Sequence, residues 1–118
     1  MDKTIEVAKI ILAQMFNVNK KNFERYTTRK RIVVEARRYL IYFMVDELHI
    51  PYLHCKKYLP ALTNHATAMH HYKKMRDLMK VNANGKVVEP ATKEKYLHFK
   101  KRFADFISLR SCISWTRS

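Results

Sequence analysis

Apolar positions recur at spacings of three and four along most of this chain, the pattern of helices that each bury one face. Ile5, Ala8, Leu12 and Met15 with Phe16 mark a first helix, capped by Asp2 or Thr4 and stopped by Asn17-Val18-Asn19. Residues 20–31 are basic, with Phe23 and Tyr26 as anchoring positions. A second, longer helix is predicted from near Ile32 to Leu48 or His49. Its buried stripe is Val33, Ala36, Leu40, Phe43, Met44 and Leu48, and Pro51 stops it. Tyr52 to Tyr58 reads as a short helix closed by Pro60. Thr63-Asn64 then offers an N-cap for a helix reaching about Lys80, with Ala68, Tyr72, Met75 and Met79 on one face. Asn82-Ala83-Asn84-Gly85 reads as a turn and residues 87–90 as an extended, mobile linker. Ala91-Thr92 caps a last helix over 93–110, where Tyr96, Phe99, Phe103, Phe106 and Ile107 form an aromatic stripe; Trp115 falls in a tail. The pattern predicts a compact all-α bundle of five or six helices.

Composition narrows what such a bundle can do. Its 118 residues suit one domain, and 47% hydrophobic content excludes global disorder. A single Gly argues against a β-sandwich or barrel and excludes a Gly-rich nucleotide loop. Cys55 and Cys112 do not make a disulfide scaffold and read as free thiols in a reducing compartment. No secretory signal is visible, and the longest apolar run, residues 39–45, is too short to span a bilayer. The expectation is a cytoplasmic protein without a membrane partner.

Charge changes the picture most. Lys+Arg number 24 and Asp+Glu 10, a formal net charge of +14. The excess is +6 over residues 20–38, +5 over 49–80 and +5 over 81–118, while 39–48 carries −2 from Asp46 and Glu47. An excess this large in so small a chain predicts a polyanionic partner.

Residues 46–79 carry the most specific arrangement. A long helix ends, a short one follows, and a third opens at Asn64, which is the order of a helix-turn-helix. In that motif the second helix presents its first turn to the major groove of DNA. Asn64 can pair with adenine, and His65 can donate to a base or phosphate. Ala66 and the Thr67 methyl can pack on a thymine methyl. Spacing alone is a weak signal, because most such connections in all-α proteins bind nothing.

The run Asn64-His65-Ala66-Thr67-Ala68-Met69-His70-His71-Tyr72-Lys73-Lys74-Met75 resembles the signature of the C-terminal DNA-binding domain of the bacterial replication initiator DnaA. That signature reads approximately Asp-His-Thr-Thr-Val-Leu-His-Ala-x-x-Lys-Ile. Upstream, Arg38-Tyr39 and the helix to Leu48 resemble the family's Arg-Gln pair and long helix. Leu53-His54 falls at the start of its first motif helix, and Arg29-Lys30-Arg31 on its basic loop. The resemblance spans roughly residues 5–80. It implies a Trp-repressor-like helix-turn-helix domain over 1–80, a linker over 81–92, and a C-terminal helix and tail over 93–118 packed on the same domain.

The resemblance also implies roles. Lys30, flanked by Arg29 and Arg31, would enter the minor groove, and Arg38 would approach the DNA. His54, at the first motif helix, and Asn64 would lie at the interface. His65, Ala66 and Thr67 would read the major groove, and Lys73 or Lys74 would contact phosphate. The chain departs from the family in several places. Asn64 replaces an Asp, Ala66 a Thr, Tyr39 a Gln, and Ala61-Leu62 a Gly pair in the turn. The family's ATPase loop is absent.

Other chemistries have weaker footing. His70 and His71 are neighbours about 100° apart on a helix, and no Cys-x-x-Cys or His-x-x-x-His spacing occurs, so no metal and no cofactor is expected. Asp46-Glu47 diverge likewise, and no nucleophile with a base is evident, so neither an enzyme nor a small-molecule substrate is expected. The last helix, with Lys93, Lys95, Lys100, Lys101 and Arg102, leaves open a membrane-surface element, core packing or self-association through its aromatics, and an extension of the DNA footprint through its basic side chains. The sequence thus predicts a nucleoid-associated, double-stranded DNA-binding protein. Its role would be replication initiation or transcription control in a bacterium or phage. The alternative is a non-enzymatic interaction module that keeps the fold without base readout.

Overall fold

The computed structural model of the chain describes residues 2–19, 21, 31–59 and 65–117, with side chains for 3–19, 21, 31–59 and 66–108. Phe23, Tyr26, Arg29, Lys30, Pro60, Thr63 and Asn64 lie outside the described residues. Among the described residues are five helices: α1 (Asp2–Met15), α2 (Arg31–Asp46), α3 (Tyr52–Tyr58), α4 (His65–Met79) and α5 (Pro90–Arg117). The only β pairing among them is one antiparallel bridge, Val81 to Val87.

Each helix end has a local cause. α1 closes in a Schellman motif: the Val18 N–H donates to the Ala13 carbonyl at 2.9 Å and the Asn17 N–H to that of Gln14 at 3.2 Å. Asn17 takes the left-handed conformation this needs, with φ 53°. α2 ends at Asp46, two residues short of the expected stop at Leu48. The chain reverses through His49, φ 54°, and the Ile50 N–H returns to the Met44 carbonyl at 2.9 Å. Pro51 caps α3 from extended backbone.

Residues 81–89, within the stretch read as a linker, form a hydrogen-bonded turn. The Asn82 N–H donates to Lys86, Gly85 supplies the left-handed residue at φ 77°, and the Val88 and Glu89 N–H groups donate back to Lys80 and Leu78. The last helix opens earlier than expected, at Pro90, where the missing N–H costs nothing. It continues through the expected tail to Arg117. At 28 residues it is about 42 Å long.

Helix α2 sits centrally. It packs on α1, α3 and α4, while α5 packs on α1 and α4. The core joins Ile5, Ala8, Leu12 and Phe16 of α1 to Ala36, Leu40, Phe43 and Met44 of α2. Cys55 and Leu59, Ala68 and Met75, and Tyr96 and Phe99 close it. Aromatic rings bind α5 to α2: Phe99 and Phe103 meet Phe43 edge-on at 5.0 and 4.9 Å, and Tyr42 meets Tyr96 at 5.1 Å. The aromatic stripe of the last helix therefore divides. Tyr96 and Phe99 are core, whereas residues 104–108, including Phe106 and Ile107, are exposed. No helix among the described residues is long and apolar enough to cross a membrane.

Candidate nucleic-acid interface

The helix pair in question is α3 and α4. Of the chain between them, only Leu59 is among the described residues. The two helices pack together, with Tyr52 edge-on to Tyr72 at 5.9 Å. On its other side Tyr72 stacks on Tyr42 of α2 at 5.1 Å. α4 is thus held from both sides through one ring.

This packing divides α4 into three strips. Ala68 and Met75 are buried, with Tyr72 and Met79 half-buried beside them. Ala66, His70 and Lys73 recur at helical spacing on the opposite, exposed face. A flank between the two carries Thr67, His71, Lys74 and Leu78. The first ten residues of α4 contain no acid. Its only carboxylate, Asp77, lies 3.7 Å from the Arg76 guanidinium, so that pair cancels and Lys73 and Lys74 remain as net charge.

The flank of α4 faces a matching flank of α2. Arg31, Glu35, Arg38 and Tyr42 follow one another at helical spacing there. The Arg38 Nε donates to the His71 Nδ1 at 3.5 Å, the long end of the hydrogen-bond range. Burial, and then the charges of Arg38, His70 and Arg37, push the His71 imidazole down to about 4. At neutral pH it is an uncharged acceptor. It orients Arg38 without neutralising it, whereas a carboxylate would do both.

Beside this contact, α2, α4 and the start of α5 enclose a cleft of about 280 Å³. Arg31, Glu35, Arg38 and Tyr39 line it from α2, and Lys74, Met75 and Leu78 from α4. Ala91, Thr92 and Lys95 line it from α5, with Glu89 just before that helix. Arg31 is tied to Glu35 at 3.2 Å, and Glu89 accepts from the Thr92 hydroxyl at 2.6 Å.

The structure brings Arg31, Arg38 and Lys74 to the cleft, and Ala66 and Lys73 to the open face of α4. Thr67 is half-buried and already engaged. His65 begins α4, its side chain outside the described residues, as are Arg29, Lys30 and Asn64 entirely. His54 is exposed on α3 but does not line the cleft. Three residues named in the sequence reading were given no individual DNA contact there. His70 shares the Ala66 face by simple i, i+4 spacing and could have been found that way. The contacts of His71 with Arg38 and of Lys95 with Phe16 join residues far apart in the chain, which spacing does not show. Among the described residues no three His, Cys, Asp or Glu side chains gather as metal ligands, and Cys55 is a buried free thiol pushed up to about 11 by burial. No protein-family model, curated protein or solved structure matches the chain.

Proposed function

We propose that the chain binds double-stranded DNA, with α4 as the element that enters the major groove and the basic segment before α2 reaching adjacent phosphates or the minor groove. The observation that carries this is the open face of α4. Ala66, His70 and Lys73 are exposed together on a ten-residue stretch without an acid, and Lys74 and Arg38 add cations along one flank. A cationic helix face with small and hydrogen-bonding side chains suits a groove lined by phosphates. The resemblance to the initiator's DNA-binding domain supports the same docking. It suggests a role in replication initiation or transcription control in a bacterium or phage, with association to the nucleoid.

The experiment is selection of duplexes from a random pool, followed by binding isotherms at two salt concentrations. A consensus site is expected. If six to ten phosphates are contacted, affinity should fall on the order of 10³–10⁵-fold between about 50 and 200 mM salt. A flat salt profile overturns the proposal. A second reading, a module with the fold but no base readout, draws on Ala66 and the engaged Thr67, which leave few hydrogen-bonding groups on the reading face. Salt-sensitive binding without a consensus, or no binding, selects it.

A further inference from the structure

The last helix lies beyond the stretch that resembles the initiator, yet its first turns form one wall of the cleft beside α4. Six charged side chains line that cleft: Arg31, Arg38, Lys74 and Lys95, against Glu35 and Glu89. Glu35 is held by Arg31, and Glu89 accepts the Thr92 hydroxyl. Arg38 meets the His71 ring nitrogen and, among the described residues, no carboxylate. The Lys95 ammonium lies over the Phe16 ring, 4.7 Å from its centroid, a cation–π contact that holds the charge in place without an acid to cancel it among the described residues. Tyr39 and Thr92 form the back wall, where the Tyr39 hydroxyl donates to the Thr92 carbonyl at 3.5 Å. Three cations without an acid partner among the described residues, one from each of three helices, therefore surround a space large enough for a phosphate and part of what it is attached to.

We infer that this cleft is a phosphate clasp in which Lys95 of the last helix joins Arg38 and Lys74. Arg38 supplies the planar fork that suits two phosphate oxygens, and the two lysines supply point charges. The group could come from the backbone of a duplex docked on α4, a source that rests on the DNA-binding reading. It could also come from a free phosphorylated small molecule. The chemistry is the same, and the position beside the open face of α4 favours the duplex.

The test uses the full chain, a labelled mixed-sequence 20-base-pair duplex, and inorganic phosphate and adenosine monophosphate as free probes. Lys95→Gln removes the charge, Lys95→Arg restores it over the same ring, and Lys101→Gln is the control on an exposed position away from the cleft. With the duplex, Lys95→Gln should lower affinity several-fold at 50 mM salt and reduce the salt slope by about 0.9. Lys95→Arg and Lys101→Gln should leave both near the parent. If the parent binds duplex and Lys95→Gln matches it in affinity and slope, the clasp is wrong while the DNA-binding reading stands. If the parent binds no duplex, that reading fails. The clasp then stands only if phosphate or the nucleotide shifts the Arg38 Nε–H resonance saturably and Lys95→Gln abolishes the shift. No shift overturns it. Thermal unfolding of each variant separates these outcomes from loss of the fold.

Discussion

His71 shows how much a single position can decide. Its ring is half-buried between cations and acts as an acceptor for Arg38, so protonation would cost a hydrogen bond and add a third charge. In the unfolded chain it takes a proton near pH 6.5, and in the folded chain only near pH 4. Between those values the unfolded state holds the extra proton. The stability due to neutral His71 is thus complete above about pH 6.5 and lost as the pH falls toward 4. The loss should be on the order of 2 kcal/mol, less than the full shift because the ring keeps some contact with water. Urea unfolding at pH 7 and pH 4.5 measures it. His71→Gln, which keeps an acceptor but does not titrate, should flatten the difference. A His71 resonance titrating near 6.5 in the folded protein would sink this account.

At the scale of elements, the helix ends and the last helix set the stability. Asn17 and His49 both hold left-handed backbone, but Asn tolerates it and His less so. Asn17→Ala should cost about 1 kcal/mol, whereas His49→Gly should be neutral or stabilising by up to about 1 kcal/mol. The two melting curves, read side by side, check this contrast in sign. Phe99 is fully buried and touches Phe43, Tyr96 and Phe103. Phe99→Ala should cost about 3–5 kcal/mol, a large share of the stability of a domain this size, and denaturant titration should show the midpoint fall. The same elements show what sequence can carry. The short helix α3 was legible at both ends because Pro51 and Pro60 bracket it, and the α1 stripe because its spacing is regular. The last helix was not, because Pro90 serves equally as a stop or a first residue, and nothing local marks whether residues 111–117 continue it. In the candidate site, Ala66 was named from the helix-turn-helix order and Lys73 from the family resemblance, and their spacing on α4 accounts for the exposed face they share. The Arg38–His71 contact, 33 residues apart, and the place of Lys95 depended on how three helices cross, which no local pattern encodes.

For the molecule as a whole, α5 is part of the core. It supplies Tyr96 and Phe99 to the aromatic cluster and an ion pair from Lys100 to Glu47. A chain cut after Lys80 would leave Phe16, Tyr39 and Phe43 facing water. It should keep the helical circular dichroism of α1 to α4 but lose near-ultraviolet signal and bind hydrophobic dye. A cooperative, native-like transition for that fragment would show that the bundle closes without its last helix.

The pairing of α1 with α5 also has a consequence in time. The Arg102 guanidinium donates to the Gln14 side chain across 88 residues, and the helices on either side of that contact are the first and last described. A chain emerging from the ribosome forms α1 and α2 early but has nothing to cover their shared aromatic side until α5 arrives. Such long-range closure is slow, and the intermediates preceding it are sticky. The third wall of the cleft is the start of α5, so the site proposed to hold phosphate can form only once residues 90–95 have left the ribosome and packed on α2 and α4.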